Sequence, residues 1–167
     1  MAVLTVKQLQ SLYSKVAHIR PRLLGLDVGT TFVGVALSDP TLTLALPQGT
    51  LLRTDCLRPF KSNPLIKLVQ QYRTFAFVVG LPLLESGEES IQCEDVKLFI
   101  HEFWNHTEMP MPVVFEDEWG STQMAMDDYR YQKKRDWNRG LRKKDENAAA
   151  IILQSFLDSF DVKRPDL

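Results

Sequence analysis

Carboxylates stand at three separate places where this chain could carry chemistry: Asp27, residues 116–118 and Asp145. Convergent carboxylates repel one another, and their burial is costly unless cations neutralise them. Mg²⁺ prefers oxygen ligands, and two such ions about 4 Å apart can activate a water and stabilise the leaving oxygen of a phosphodiester. If the three acids meet, the chemistry they favour is metal-dependent cleavage of a phosphodiester.

Each acid also has a purely structural interpretation. Asp27 could hydrogen-bond the amides of the turn that follows it, residues 116–118 could be a solvated strand end, and Asp145 could be a helix N-cap. Taken singly, the last two interpretations are the better ones, because caps and exposed acids are commoner than ligands. Taken together, the acids favour a site.

A basic segment runs directly into Asp145. Residues 130–144 hold eight of the chain's 20 Lys and Arg and only one acid, although the formal net charge is −1. Such a patch attracts phosphates, and Tyr131 and Trp137 offer stacking surfaces for unpaired bases; a solvated loop is the alternative. The candidate nucleic-acid-binding residues are Arg130, Lys133, Lys134, Arg135, Arg139, Arg142, Lys143 and Lys144.

Length and composition restrict the protein class. The chain has 167 residues, of which 44% are hydrophobic and 25% charged, which is typical of one globular domain with its own core. The apolar stretch 75–84 is shorter than the roughly 20 residues of a bilayer span, so we expect no membrane association and an intracellular, most simply cytoplasmic, location. Cys56 and Cys93 lie far apart without histidines at ligand spacing, which predicts reduced thiols.

The first 20 residues are predicted to form an N-terminal extension of the main domain. Apolar side chains in residues 5–18 recur at spacings of three and four, which predicts an amphipathic helix docked on the core. The segment is basic and has no acid before Asp27, so a plastid or mitochondrial transit peptide is the alternative. We therefore expect a helical extension over residues 1–20 and the main domain over residues 21–167.

The elements that must position the acids are organised around a hairpin. An apolar run from residue 23 carries Asp27, turns through Gly29 and returns over residues 32–39, and residues 42–53, with Pro47 and Gly49, predict an edge strand. Two crossovers follow. The predicted elements are a helix over 65–72, a strand over 75–80, a helix from about Glu88, a strand over 112–117, a helix over 121–131, and a final helix from Asp145 to Phe160.

This order predicts an α/β fold with a mixed five-stranded sheet and helices on both faces. Strand alternation would turn Glu116 and Glu118 to one face, towards Asp27, and Asp117 to the other. Asp145 could reach the same point from above the sheet.

Four segments, in their order and spacing, resemble the YqgF/RuvX family of RNase H-like proteins. They are residues 24–30 with 34–39, residues 78–83, Glu116-Asp117-Glu118, and Lys143-Lys144-Asp145 before Ala148-Ala149. Members are described as Holliday junction resolvases and as nucleases that process the precursor of small-subunit ribosomal RNA. The resemblance spans residues 23–157 and implies an RNase H-like three-layer fold, dependence on Mg²⁺ or Mn²⁺, and a catalytic, metal-binding triad of Asp27, Glu118 and Asp145.

Two segments depart from the family pattern. The family usually has an arginine after the Asp-Glu pair, where this chain has Trp119, and an Asn-Met-Asp-Gly-like loop after Leu83, where it has Leu84-Glu85-Ser86-Gly87. All three acids of the triad remain. The departures therefore bear on substrate contacts more than on metal binding.

The leading functional hypothesis is a nuclease that acts on structured nucleic acid, with precursor rRNA preferred over branched DNA. A monomer suffices for RNA trimming, whereas junction resolution needs a symmetric homodimer. One alternative is a non-catalytic nucleic-acid or ribosome-binding module with the same fold. Another is an actin-like phosphotransferase, because residues 27–31 also resemble the phosphate-binding hairpin of sugar kinases; a single lobe, however, cannot enclose a nucleotide.

Overall fold

A five-stranded sheet forms the centre of the protein. The computed structural model describes residues 3–84, 86–117 and 137–160, with the backbone alone described for 137–146. Within these ranges the strands are β1 (Arg22–Val28), β2 (Phe32–Ser38), β3 (Ala45–Leu52), β4 (Thr74–Leu81) and β5 (Val113–Asp117). The α-helices are α1 (Val6–Val16), α2 (Pro64–Tyr72), α3 (Ile91–Thr107) and α4 (Trp137–Ser159).

The strand order is β3-β2-β1-β4-β5. Strand β1 is antiparallel to β2 and parallel to β4, and β4 is parallel to β5, so the predicted hairpin, edge strand and two crossovers are confirmed. Because β1, β4 and β5 are parallel, they all end at the same side of the sheet, which we call the carboxyl edge. Val28, Leu81 and Asp117 are the last residues of these three strands.

Helices cover both faces of the sheet and enclose two apolar cores. Strand alternation sends even-numbered residues of β1 to one face and odd-numbered residues to the other. The core against α2 and α3 includes Leu24, Leu26, Phe77, Val79, Leu65, Val96, Phe99 and Phe103. The core against α1 and α4 includes Leu23, Ala76, Val78, Val114, Leu9, Tyr13, Ile152, Leu153 and Phe156.

Helix α4 lies unusually close to β1 because Gly25 has no side chain. A Cβ atom at this position would stand 2.7 Å from the Leu153 Cβ and 3.0 Å from the Ala149 carbonyl oxygen, closer than real contacts allow. The glycine thus sets the distance between the central strand and the final helix.

The N-terminal segment docks on the domain as predicted. Thr5 and Gln8 form a capping box at the start of α1, and Leu9 is completely buried. The Tyr13 ring packs 5.6 Å from that of Phe75, and the Leu4 amide donates to the Val113 carbonyl at 2.7 Å along the outer side of β5. The extension therefore partly covers an edge strand that would otherwise be exposed.

Two predicted helix starts are wrong. Helix α4 begins at Trp137, so residues 137–144 are helical and not part of a loop, and Asp145 lies in the third turn and is not an N-cap. Helix α3 begins at Ile91 after Ser90, so Glu88 precedes it. The helix predicted over 121–131 and the rest of the basic segment, 130–136, lie outside the described residues.

Both cysteines are free thiols, as the sequence predicts. Cys56 and Cys93 are both buried free thiols, and burial, with a smaller contribution from the charge of Asp55, raises the pKa of Cys56 to about 12. In the described part of the chain, no helix is both long and apolar enough to cross a bilayer.

Candidate functional site

Asp27 lies near the carboxyl edge on the central strand, and it is partly buried. Its partner on β2 is Gly34. On the other side, Leu26 pairs with Val79, so the next step of the parallel register sets Gly80 beside Asp27. Asp27 follows Gly25 by two residues and therefore faces α4, between two strand neighbours that have no side chains.

Glu116 of β5 faces the same helix at the same level. It pairs with Gly80, and Val114 two residues before it belongs to the α4 core. The Ser155 hydroxyl of α4 donates to its Oε1 at 3.1 Å. Asp117 is exposed, and alternation turns it to the other face. The face predicted for Glu116 agrees with its contact with Ser155 of α4.

The Glu116 carboxylate is held at an electrostatic cost. Burial raises its pKa, the hydrogen bond from Ser155 partly opposes that rise, and the neighbouring charge of Asp117 adds to it, so that the pKa lies above the ordinary glutamate value. A raised pKa means that the ionised form is less well solvated here than in water. The carboxyl edge therefore favours a proton or a cation beside this acid.

Helix α4 runs from the carboxyl edge towards the opposite side of the sheet. Ala149 and Leu153 lie over Gly25, and Gln154 bonds the Ala45 amide at the start of β3. Asp145 precedes Ala149 by four residues, or about 6 Å of helix. Asp27 lies two residues, about 6.6 Å of strand, beyond Gly25. Residue 145 therefore lies on the carboxyl-edge side of the contact between α4 and Gly25.

The side chains of the other predicted site residues lie outside the described part of the chain. Glu118 lies outside the described residues, as do Arg130, Lys133, Lys134 and Arg135, and the backbone alone is described for Arg139, Arg142, Lys143 and Lys144 in the first turns of α4. Among the side chains that are described, no group of three His, Cys, Asp or Glu could hold a metal ion. The structure places Asp27 and Glu116 on the same face of the sheet at the carboxyl edge.

Two contacts of this region were not predicted from the sequence. One joins Ser155 to Glu116, and the other joins the Arg53 guanidinium to the Gly29 carbonyl in the turn after Asp27. Both link elements that are distant in the chain. The pattern of residue types around Arg53 or Ser155 gave no signal for them.

Two local turns complete the carboxyl edge. The Gly29 amide donates to the Phe32 carbonyl at 2.9 Å, and a Cβ on Gly29 would stand 2.8 Å from that oxygen, so this tight hairpin requires glycine. After β4, Gly87 adopts φ 84° and donates to the Leu84 carbonyl. The side chain of Leu84 is 49% exposed at this edge. The departure from the family loop thus presents an apolar side chain to solvent.

Comparison with known proteins identifies relatives over most of the chain. A family model described as "RuvX: Holliday junction resolvase" matches residues 21–159. A protein of Caldanaerobacter subterraneus subsp. tengcongensis is 39% identical over 140 residues, which are 83% of this chain and 96% of the relative. One of Sulfurihydrogenibium sp. is 35% identical over 137 residues, 82% of this chain and 90% of the relative. Both are named "Putative pre-16S rRNA nuclease".

A solved structure, "T. thermophilus RuvC in complex with Holliday junction substrate", covers 84% of this chain and 98% of its own. The TM-score is 0.46 and the sequence identity 13%.

Proposed function

We infer that this chain, which belongs to the RuvX family, is a metal-dependent nuclease that acts on structured nucleic acid, with the precursor of small-subunit rRNA as its substrate. Its α/β architecture, a mixed five-stranded sheet between two helical layers, is the RNase H-like arrangement that the family implies. The observation that carries the proposal is that Asp27 and Glu116 lie at the carboxyl edge, on the face that α4 covers, on either side of Gly80.

The proposed catalytic, metal-binding residues are Asp27, Glu118 and Asp145. Glu118 follows Glu116 by two residues, and continued alternation would turn it to the α4 face. Asp145 is about one helical turn before Ala149, which packs on Gly25 of β1, the strand that also carries Asp27. Three acids from β1, the end of β5 and α4 would then surround the space beside Gly80.

Carboxylates of this kind suit Mg²⁺ or Mn²⁺. Their oxygen atoms are hard ligands, and the raised pKa of Glu116 indicates that negative charge on this face lacks full solvation. When bound, such an ion activates a water and stabilises the leaving oxygen of a phosphodiester. The chain's own contribution is to hold the acids at one edge of the sheet, where the strand neighbours of Asp27 are Gly34 and Gly80.

The basic residues at positions 130–144 are proposed to bind the phosphate backbone. Helix α4 begins at Trp137, so those from Arg139 to Lys144 belong to its first eight residues, immediately before Asp145. A helix fixes the spacing of these cations better than a loop would. Backbone contacts of this kind position a substrate beside the acids without reading its sequence.

The domain boundary and the location follow from the same proposal. The family match begins at residue 21, so we assign residues 1–20 to a helical extension and residues 21–167 to the nuclease domain. A precursor rRNA substrate requires a compartment that makes ribosomes, which is the cytoplasm or an organelle with its own ribosomes. A single copy of the chain would suffice for this reaction.

The proposal is tested by incubating the purified protein with precursor small-subunit rRNA in Mg²⁺, Mn²⁺ or EDTA. We expect cleavage with either ion and none in EDTA. Substituting Asp27→Asn or Asp145→Asn should lower the rate more than about 100-fold, because even residues that only support a metal ligand cost 10- to 100-fold. The matched control is Asp158→Asn, an exposed aspartate near the other end of α4. Wild-type cleavage by Asp27→Asn would contradict the assignment.

A four-way DNA junction is the second candidate substrate, and the description of the family model favours it. The same assay on a junction distinguishes the two, because symmetric cleavage of opposite strands requires a dimer that a mass measurement in solution would detect. If neither substrate is cut while RNA binding survives substitution of the acids, the chain is a binding module and not an enzyme.

A further inference from the structure

Arg53, immediately after β3, joins the turn that follows Asp27 to helix α3. Its Nη1 atom donates to the Gly29 carbonyl oxygen at 3.0 Å and to Asp95 Oδ2 at 2.8 Å, and its Nη2 atom donates to Asp95 Oδ1 at 3.0 Å. Its backbone amide donates to the Thr31 carbonyl at 2.9 Å. One residue thus bonds the turn at two points, the carbonyl oxygens of Gly29 and Thr31.

The guanidinium group is largely buried. The Arg53 side chain is 14% exposed, against 45% for Asp95, and its Cζ lies 5.4 Å from the centre of the Phe99 ring. A bidentate ion pair of this kind fixes the orientation of the side chain as well as its distance. Only the planar guanidinium group of arginine can donate to a carboxylate and a carbonyl at the same time in this way. Arg53 is therefore a rigid connection and not a solvated surface charge.

The connection acts close to the proposed chemistry. Gly29 follows Asp27 by two residues, and Thr30 at the tip of the turn is exposed, so the hairpin end has little packing of its own. Asp27 faces α4, whereas Arg53 and Asp95 lie on the α3 side. The contact can therefore hold the backbone that carries the carboxylate without entering the space where nucleic acid would bind.

We propose that Arg53 is a positioning residue that fixes the turn after Asp27, and through it the carboxylate, by bonding Gly29 while it is anchored on Asp95. The catalytic consequence rests on the nuclease function proposed above. The structural consequence does not, since it concerns the hairpin alone.

The first test measures amide hydrogen exchange without metal or nucleic acid. Arg53→Met keeps much of the apolar stem over Phe99 but removes the donors, so exchange over residues 27–32 should rise about tenfold, as expected when a local opening becomes easier. Arg53→Lys should give an intermediate rise. The matched control is Lys97→Met, which removes another ion pair of α3, the exposed 2.8 Å contact between Lys97 and Glu89. Exchange over residues 27–32 should stay within about twofold of wild type in this variant.

The second test measures binding of Mn²⁺ by water-proton relaxation and, separately, cleavage. In Arg53→Met the half-saturating Mn²⁺ concentration should rise about tenfold, the range seen when a group supporting a metal ligand is lost. Saturating Mn²⁺ should restore most of kcat, and KM for RNA should stay unchanged. Asp95→Asn, which leaves the guanidinium in place but weakens its anchor, should shift Mn²⁺ binding in the same direction by a smaller factor.

The outcomes separate this inference from the proposed function. Unchanged exchange in Arg53→Met would overturn the positioning role, as would faster exchange with wild-type Mn²⁺ binding. Faster exchange and weaker Mn²⁺ binding in a protein that cuts no substrate would uphold the role and reject the nuclease. Loss of Mn²⁺ binding equally in Lys97→Met would also overturn the inference, because a general effect of α3 would then explain it.

Discussion

Two acids at opposite sides of the sheet have opposite electrostatic environments. Asp39 follows β2, where the Leu44 and Thr43 amides donate to its Oδ1 at 2.9 and 2.7 Å and the Thr41 hydroxyl donates to Oδ2. Burial alone would raise its pKa, but these hydrogen bonds outweigh burial and hold the pKa below its ordinary value. Glu116 at the carboxyl edge has one hydroxyl donor and a raised pKa.

The difference shows that ionised Asp39 stabilises the fold, whereas ionised Glu116 destabilises it. The donors around Asp39 come from its own turn, within five residues, so its charge stabilises local structure. Glu116 is held by a side chain 39 residues away, on α4, and its charge is less stable than in water. Acids kept at such a cost are concentrated at functional sites, which supports the carboxyl edge as the place of chemistry.

The largest effect we expect comes from pushing α4 away from the carboxyl-edge acids. Gly25→Val places a branched side chain where a single Cβ already stands 2.7 Å from Leu153, so α4 must move or strain, at a cost of roughly 1–3 kcal/mol or more. Urea unfolding measures the loss. Cleavage should fall as well, because Asp145 moves with the helix, while the turn around Asp39 stays intact.

The control is a substitution at a glycine that has free space around its Cβ position. Gly87 has nothing within 4 Å of its Cβ position, but its φ of 84° disfavours other residues, so Gly87→Asn, which tolerates positive φ, is the suitable change. It should alter the free energy of unfolding by less than about 0.5 kcal/mol. An equally small loss in Gly25→Val would show that α4 is not tightly held at this point.

Much of this arrangement could be predicted from the sequence, for identifiable reasons. The apolar run through Asp27 and the glycine turn define a hairpin by local chemistry alone, and alternation along residues 113–117 fixes the face of Glu116. The start of α4 was missed because Trp137, Gly140 and clustered charge are typical of a loop. Arg and Lys are nevertheless good helix formers, and residues 137–144 continue the helix that packs on Gly25.

The tertiary contacts could not be predicted in the same way. Arg53 lies 42 residues before Asp95, and only the crossover geometry brings them together. Nothing in residue spacing distinguishes this arginine from a solvated one. The approach of Ser155 to Glu116 likewise depends on how α4 crosses the sheet.

The second prediction tests the supporting acid. Asp39→Ala removes the acceptor of three donors at a partly exposed turn, so the loss at pH 7 should be about 1–2 kcal/mol. Because the folded pKa lies below the ordinary value of about 3.9, this contribution is present above pH 4 and is lost as the pH falls through the folded pKa. The difference between wild type and variant, measured by urea unfolding, should therefore shrink from pH 6 to pH 2.5.

A pH-independent loss would mean that the aspartate acts by shape alone. Asp39→Asn separates these cases, because its amide oxygen can still accept from the Leu44 and Thr43 amides without carrying charge. Its loss at pH 7 should be about half that of Asp39→Ala, within the roughly 1 kcal/mol expected of a single hydrogen bond.

The smallest effect that we expect is a gain in the free energy of unfolding, from a substitution at Glu116. The folded pKa of Glu116 lies above the ordinary value of about 4.3, so its ionised form costs stability once the pH has risen past both values. Glu116→Gln retains an oxygen for the Ser155 hydroxyl and removes that cost. The variant should match wild type at pH 3.5 and exceed it by less than about 1 kcal/mol at pH 7, since the site is partly solvated. If Glu116→Gln were instead destabilising at pH 7, as Asp39→Asn is expected to be, both acids would serve the fold and the contrast between the two sides of the sheet would fail.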